Sequence, residues 1–311
     1  MLSRRFNVHQ LQRQCRRPFS SAQKTQFQTL AKTIPQTRPF SSSAHTCKTQ
    51  IPTVAKGTIL QTNGVKCKPA LVIFDKDGTL IDFHLMWSTW VEQMAWKLEM
   101  HSELPVRDDL FDTLGYNYIN RRVTSGSALC CTPMHTLRGQ AEEMLSERHQ
   151  MSTTASKEII DKIWKMPDPR KLARPLVELP VLFEMLHSFN VKIAVSTTDD
   201  RAATVATLEH LGVRDYVPDH AIAAGDDPIP PKPNPQQIWK LCHAMGVSAQ
   251  DTLMVGDTNT DMTMGRAAGC GLTVGVLDGA SSIKDLSEKA DVLVPTIGKI
   301  PKIIYQFLQH H

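Results

Sequence analysis

Carboxylate side chains are grouped where apolar runs of the sequence end. Asp75 and Asp77 lie two residues apart in the string FDKDGTLID, directly after the apolar run 70–74. Asp257 and Asp261 lie in the string GDTNTD, after a later apolar run. Carboxylates so arranged can act as a nucleophile, as a general acid and base, or as ligands of a hard divalent cation.

Hydroxyl and ammonium groups lie beside other apolar runs. Thr197 follows the run 191–196, and Lys232 lies between two prolines ahead of the run 252–255. Phosphoryl transfer needs a nucleophile, a bound divalent cation and donors to the phosphate oxygens. The carboxylates can supply the nucleophile and the ligands of the cation, and the hydroxyl and ammonium groups can supply the donors. Ser196 and Thr198 are alternatives to Thr197 as the hydroxyl group. The neighbouring acids Asp199, Asp200, Asp226 and Asp227 are interpreted as loop acids or helix caps rather than ligands.

The spacing of the first acidic string excludes a calcium-binding loop. Such a loop has glycine at about position six and an acid at about position twelve. Counted from Asp75, the glycine falls at position four and Met86 occupies position twelve.

These residues can meet only if the apolar runs form one parallel sheet. The runs alternate with helical patterns such as 202–211 and 236–245, and Gly212 and Gly246 follow where a left-handed cap is needed. Strands alternating with helices predict an α/β fold with a doubly wound, Rossmann-like parallel sheet, whose strand ends share one edge. The predicted strands are 70–74, 191–196, 221–224, 252–255, 272–277 and 292–294.

The segment between the first two predicted strands is too long for a single crossover helix. Its apolar residues recur at three and four positions, which predicts an inserted helical cap over residues 84–175. The catalytic core is then expected to comprise 56–83 and 176–311. We interpret the repeated apolar residues as packing rather than as a ligand-stacking group; they include Trp87, Trp90, Met94 and Leu98, then Met134, Leu137, Ala141 and Met144, then Ile159, Ile163 and Met166.

Four features occur in order along the chain: the string FDKDGTLID, Thr197, Lys232 and the string GDTNTD. In this order they resemble the four motifs of the haloacid dehalogenase-like hydrolase superfamily. Within it, the chain resembles phosphatases of the phosphoglycolate phosphatase type, which carry a helical cap. The resemblance covers about residues 69–295 and implies Mg²⁺-dependent hydrolysis of a small phosphomonoester. Phosphoglycolate is one candidate substrate, with its carboxylate bound by Arg121, Arg122 or Arg138, although each arginine fits equally well as a solvated helix charge. A sugar phosphomutase, or a catalytically silent binding protein with the same fold, remains an alternative.

The resemblance also implies a role for each motif residue. Asp75 would form an aspartyl-phosphate, and Asp77 would protonate the leaving alcohol and later deprotonate water. The second acid argues against a dehalogenase, which has no alcohol to protonate. Phosphate binding is implied for Thr197, Thr198 and Lys232, and Mg²⁺ binding for Asp75, the main-chain carbonyl of Asp77, Asp257 and Asp261.

Charge is distributed unevenly along the 311 residues. Residues 1–74 contain 12 Lys or Arg and no acid, whereas the remainder has 23 basic and 31 acidic residues, a net charge of −8. The formal net charge of +4 therefore belongs to the leader, and no nucleic-acid partner is implied. No apolar run is long enough to cross a membrane. The expected partner is a small phosphorylated metabolite, and the sequence does not determine an oligomeric state.

The leader, residues 1–55, combines arginine with serine, threonine and glutamine and lacks acids, as mitochondrial presequences do. The string RPFSS occurs at 17–21 and again at 38–42. We therefore predict import into the mitochondrial matrix, with a disordered tail on a cytoplasmic protein as the alternative.

A fluorescent fusion of residues 1–60 tests this prediction. We expect its signal to coincide with a mitochondrial marker, and a diffuse cytosolic signal would contradict import.

Overall fold

Six parallel strands form the centre of the described part of the chain. The computed structural model describes residues 68–309, so the leader lies outside the described residues. The strands, including a small antiparallel pair, are β1 (Leu71–Phe74), β2 (Tyr116–Asn117), β3 (Arg122–Val123), β4 (Lys192–Ser196), β5 (Ile222–Ala223), β6 (Thr252–Gly256), β7 (Leu272–Val276) and β8 (Val292–Val294).

The strand order makes β1 the switch point of the sheet. The order is β5-β4-β1-β6-β7-β8, and every neighbouring pair is parallel. From β1 the chain builds one side of the sheet through β4 and β5, then crosses to the other side with β6, β7 and β8. The predicted doubly wound parallel fold is confirmed. Ligands of such sheets bind beyond the carboxyl ends of the strands at the switch point, which here means beyond Phe74.

Helices connect the strands and form the insertion. Within residues 68–309 they are α1 (Phe83–Ser102), α2 (Arg107–Leu114), α3 (Ala128–Cys131), α4 (Met134–His149), α5 (Thr153–Ile163), α6 (Pro169–Leu172), α7 (Leu179–Ser188), α8 (Arg201–His210), α9 (Gln236–Met245), α10 (Asn259–Ala268), α11 (Ile283–Ser287) and α12 (Ile300–Gln309). No helix in this range is long and apolar enough to span a membrane.

The core of the sheet is apolar on both faces because helices cover it. All four residues of β1 are fully buried, as expected for a central parallel strand. Phe74 at its end stacks on Phe183 of α7, with ring centroids 5.7 Å apart. The last helix, α12, buries Ile303, Ile304 and Phe307 on one face. The fixed strands provide a rigid base for the loops that follow them.

The insertion leaves and rejoins the core at adjacent points. Asp82 donates its backbone N–H to the carbonyl of Arg174 at 2.8 Å, and Leu176 donates to Leu80 at 3.1 Å. Helix α1 begins directly after Asp82. The Asp82 carboxylate caps the helix by accepting the backbone N–H of Leu85 at 2.9 Å. The four longer helices α1, α2, α4 and α5 pack on one another. The insertion also touches the core, since Ser125 donates a hydrogen bond of 2.9 Å to Asp285.

The insertion differs from the predicted pattern in two details. Its β2–β3 pair was not predicted, because strands of two residues leave no detectable alternation. The third apolar stripe is displaced: α5 ends before Trp164, so Met166 lies beyond it, and Ile160 rather than Ile159 is fully buried.

Candidate active site

The strand register brings the motif residues to one edge of the sheet. Phe74 is paired with Val195 of β4 on one side and with Val255 of β6 on the other. The residues after these strands therefore leave the sheet at the same level, although they are far apart in sequence. Asp75 still donates its backbone N–H to the carbonyl of Val255 at 2.8 Å, which fixes the start of its loop.

Lys232 links two of the carboxylates. Its Nζ atom lies 2.6 Å from Oδ1 of Asp75 and 2.7 Å from Oδ1 of Asp261. All three residues are buried. The Asp261 side chain is held by the start of α10, where Thr258 donates its hydroxyl group at 2.6 Å and its backbone N–H at 3.1 Å. This capping box fixes the orientation of Asp261 toward the site.

Asp257 lies in a space that two glycines leave open. A Cβ atom on Gly78 would lie 2.1 Å from Oδ2 of Asp257, and one on Gly279 would lie 2.2 Å away. Gly78 also has a φ of +87°, which favours glycine. The carboxylate accepts the backbone N–H of Ala280 at 2.7 Å, while the Thr79 hydroxyl group lies 3.4 Å from its other oxygen. The loop after β1 therefore requires glycine in order to approach Asp257.

Three buried carboxylates could hold a cation together. One oxygen from each of Asp75, Asp257 and Asp261 lies within 4.8 Å of the other two. Hard oxygen donors without sulfur or imidazole suit Mg²⁺. The side chain of Asp77 is not part of this cluster and turns toward Lys76 instead. The predicted main-chain role of Asp77 is compatible with that orientation.

Charge is unbalanced around this cluster. Burial raises the pKa of Asp75 to about 7, and the neighbouring charges of Asp261 and Asp77 add to the effect, while Lys232 opposes it. Burial, followed by the charges of Asp75 and Asp261, raises the pKa of Asp257 well above its usual value. Lys232 itself keeps its proton because the two carboxylates outweigh burial and raise its pKa. A divalent cation fits here because it would neutralise the charge that one lysine leaves uncompensated.

The three candidate hydroxyl groups differ in their surroundings. Ser196 donates to Oε1 of Gln237 at 2.6 Å in the core, so it is directed elsewhere. The Thr197 hydroxyl oxygen accepts the backbone N–H of Asp199 at 3.1 Å, which leaves its proton to donate. Thr198 lines the cleft that also contains Asp75 and Lys232. The structure therefore disfavours Ser196 and places Thr198 in the lining of the cleft, whereas Thr197, the residue before it, is buried outside that lining.

A buried ion-pair network that was not predicted from the sequence joins the loops that follow β1 and β4. Lys76 is fully buried, and its Nζ atom lies 2.9 Å from Oδ2 of Asp77 and 2.8 Å from Oδ2 of Asp199. Asp199 lies in the loop after β4, as predicted, but its side chain is only 2% exposed and pairs with this lysine, which was not predicted. The lysine between the two acids of the first motif was the signal available in the sequence.

The network affects the protonation of Asp77. Burial raises the pKa of Asp77, and the charge of Asp199 adds to this, whereas Lys76 lowers it. For Lys76, the attraction of Asp199 and Asp77 outweighs burial and raises its pKa, so it stays charged. The second acid of the motif is thus held in one orientation by a fixed cation.

The arginines proposed to bind a substrate carboxylate do not line the cleft. Arg121 pairs with Glu92 at 2.9 Å and is 61% exposed. Arg138 pairs with Glu142 and Asp161 on the helical surface. Arg122 is exposed and is also absent from the lining. Of the two alternatives left open by the sequence, the structure favours a surface charge over a substrate ligand for all three arginines, because none of them lines the cleft.

Comparison with known proteins assigns the family. The model of the haloacid dehalogenase-like hydrolases matches residues 69–269, well over half of the chain. The chain belongs to this family. Among solved structures, this hydrolase is similar to one described as a predicted phosphoglycolate phosphatase from Haemophilus somnus, with a TM-score of 0.56, 18% identity and coverage of 76% of this chain and 98% of that one. At that identity the likeness supports the fold alone.

Relatives of this hydrolase include two phosphoglycolate phosphatases. The Neisseria gonorrhoeae protein is 32% identical over 139 residues, which are 44% of this chain and 56% of that protein. The Rhodospirillum rubrum protein is 28% identical over 208 residues, which are 66% of this chain and 79% of that protein. The match to the first relative thus spans little more than half of its length.

Removing one member of the buried ion-pair network should destabilise the hydrolase strongly. Lys76→Met leaves Asp77 and Asp199 adjacent and unneutralised, so we expect the free energy of unfolding in urea to fall by about 3–5 kcal/mol. In the double variant Lys76→Met/Asp199→Asn, the free energy of unfolding should fall by less than the sum of the losses in the two single variants, because the two residues act as a unit.

Lys240→Met is the matched control. Its ammonium group lies 2.6 Å from Asp227, but the side chain is 38% exposed, so the loss should be about 1 kcal/mol or less. Equal losses for the two lysine variants, or strict additivity of the Lys76 and Asp199 losses, would contradict a buried network.

Added Mg²⁺ should stabilise the protein more at about pH 8 than at about pH 6. A carboxyl group whose pKa is raised on folding reduces stability as the pH rises through that pKa, here about 7 for Asp75, because the native state must give up its proton. The cation binds the ionised carboxylates and restores the lost stability, whereas protons compete with it at low pH.

The measurement is the change in Tm on adding MgCl₂ at each pH. The Asp257→Asn variant should lose most of the shift, and Asp82→Asn, which retains the cap of α1, should keep it. A shift independent of pH, or one unchanged by Asp257→Asn, would rule out this cluster as the cation site.

Proposed function

We propose that this hydrolase is a Mg²⁺-dependent phosphatase that hydrolyses a small phosphomonoester through an aspartyl-phosphate on Asp75. The observation that carries the proposal is the position of the Asp75 carboxylate, 2.6 Å from Lys232 and inside a cluster of three buried carboxylates. A nucleophilic carboxylate is repelled by a phosphate dianion unless positive charge offsets both groups. The phosphatase names of the relatives are consistent with this chemistry.

The residues of the site have complementary roles in this proposal. The Asp75 carboxylate attacks phosphorus, and the bond to the leaving oxygen breaks as Asp77 gives that oxygen a proton. Asp77 then takes a proton from water, whose oxygen attacks phosphorus and releases Asp75. Lys232 and the hydroxyl groups of Thr197 and Thr198 stabilise the charge on the phosphoryl oxygens. Asp75, Asp257 and Asp261 would hold Mg²⁺ together with the main-chain carbonyl of Asp77, and the cation supplies charge neutralisation when bound.

The two acids separate this proposal from its alternatives. Asp75→Asn should abolish phosphate release from p-nitrophenyl phosphate in the presence of MgCl₂ without lowering Tm, because the change removes a buried charge that crowds its neighbours. Asp77→Asn should reduce turnover by roughly 10²–10⁴-fold, as expected for loss of general acid–base catalysis. The matched control is Asp82→Asn, which should retain activity. Asp82 lies five residues after Asp77 and caps helix α1.

Three outcomes would contradict the proposal. Isomerisation of a sugar phosphate with little free phosphate would indicate a mutase. Phosphate release that is unaffected by Asp75→Asn would exclude Asp75 as the nucleophile. Folded protein without activity on any phosphomonoester in a broad panel would indicate a binding protein.

A further inference from the structure

The Asp77 carboxyl group is held in place by the lysine that precedes it. The Nζ atom of Lys76 lies 3.1 Å from Oδ1 of Asp77 and 2.9 Å from Oδ2, so it contacts both oxygens. A general acid must lie within hydrogen-bond reach of the oxygen that receives its proton, and a displacement of about 1 Å can lower a rate by about 10²-fold. The position of Asp77 is therefore as important for its proposed role as its chemical type.

Lys76 is itself held by Asp199. Its side chain is fully buried, and its Nζ atom lies 2.8 Å from Oδ2 of Asp199. A lysine carries its charge on a flexible four-carbon stem, so it can fix a neighbour only where the ammonium group has a second anchor. The Asp199 side chain is 2% exposed and that of Asp77 is 12% exposed. Asp199 is thus the more deeply buried end of the ion-pair network.

Asp199 is fixed in turn by the loop after β4. Its Oδ1 atom accepts the backbone N–H of Asp200 at 2.8 Å. Its own backbone N–H donates to the Thr197 hydroxyl group at 3.1 Å, and its carbonyl accepts the N–H of Gly225 at 2.8 Å. A Cβ atom on Gly225 would lie 2.0 Å from the carbonyl oxygen of Thr198, so the loops after β4 and β5 are in close contact. The loop that carries the two threonines therefore also positions Asp199.

The opposite wall of the cleft offers no carboxyl group that could replace Asp77. Within residues 68–309, this wall comes from the insertion and the start of α1, and its lining residues are Phe83, Trp87, Leu129, Cys130 and Met134. On the sheet side, Asp75 and Asp261 also line the cleft, but both contact Lys232 and belong to the carboxylate cluster. Protonation of the leaving oxygen in this cleft therefore depends on how well Asp77 is oriented.

We propose that Asp199 is a positioning residue, which through Lys76 holds the Asp77 carboxyl group within reach of the leaving oxygen. This inference rests on the proposed phosphatase activity and adds a residue of the β4 loop to its acid–base step. In that step the bond between phosphorus and the leaving oxygen breaks, and the proton of Asp77 moves to that oxygen. A strongly basic leaving oxygen needs this proton, whereas a weakly basic one departs without it. Loss of Asp199 should therefore affect esters of basic alcohols selectively.

Two esters of similar size test the selectivity. Benzyl phosphate releases a strongly basic alkoxide unless it is protonated, and p-nitrophenyl phosphate releases a weakly basic phenolate. In Asp199→Asn one side-chain oxygen must serve two donors, the Lys76 ammonium group and the Asp200 N–H. We expect its kcat/KM to fall by about 10²-fold for benzyl phosphate and by less than about threefold for p-nitrophenyl phosphate. Asp77→Asn should show the same pattern with a larger loss for benzyl phosphate.

The ratio of the two kcat/KM values separates a positioning role from a structural one. Both values come from one protein sample, so partial unfolding cancels in the ratio. Asp227→Asn is the matched control, because this carboxylate is 8% exposed and pairs with Arg201 and Lys240 but lies outside the cleft lining. It should keep the wild-type ratio even where it lowers Tm. Lys76→Arg keeps a cation between the two acids but moves its donors, so it should lower the ratio in a folded protein.

The outcomes distinguish the inference from the function on which it rests. An unchanged ratio in Asp199→Asn, or a ratio lowered equally in Asp227→Asn, would overturn the positioning role and leave the phosphatase proposal intact. If Asp199→Asn does not fold, the ratio in Lys76→Arg decides: a lowered ratio supports the inference and an unchanged one overturns it. If the wild-type protein does not hydrolyse benzyl phosphate, another alkyl ester from the phosphomonoester panel replaces it. Inactivity toward the whole panel would refute both proposals.

Discussion

Crowding of carboxylates at the end of β1 is the constraint on which the site depends. Five of them meet there with only two lysines, and most are shielded from water. Buried charges of one sign cannot all remain ionised without compensation, which is why burial raises the pKa of Asp75 and Asp257. A bound divalent cation would meet this demand, because it would neutralise the charge of the acids. In the proposed phosphatase, the same excess of negative charge would hold the cation that the reaction needs.

The topology of the sheet produces this crowding. Because β1 lies between β4 and β6, the loops that follow all three strands meet above one point, and the acids of distant motifs become neighbours. The glycines around Asp257 allow the loops to approach closely, and the capping box of α10 aims Asp261 at Lys232. The insertion then covers the site with an apolar surface, which lowers the local dielectric constant and strengthens each of these interactions.

The sequence allowed the sheet and the motif residues to be predicted because both depend on local patterns. Apolar runs mark buried strands, and acids at their ends must share an edge of the sheet. The pairing of Lys76 with Asp199 could not be found in this way, since it joins residues 123 positions apart through tertiary packing. The choice between the two possible roles of the arginines could not be made from the sequence for the same reason, because the partners of Arg121 and Arg138 become visible only in the folded insertion.

Direct detection of a phosphoryl group on Asp75 tests the central claim. The Asp77→Asn variant should accumulate the intermediate, because water then lacks its base. After reaction with p-nitrophenyl phosphate, acid quenching and proteolysis, mass spectrometry should find phosphate on the peptide that carries Asp75, and Asp75→Asn should remove it. Phosphorylation of a different residue, or release of one equivalent of nitrophenol in a single turnover with no phosphorylated peptide, would contradict nucleophilic attack by Asp75.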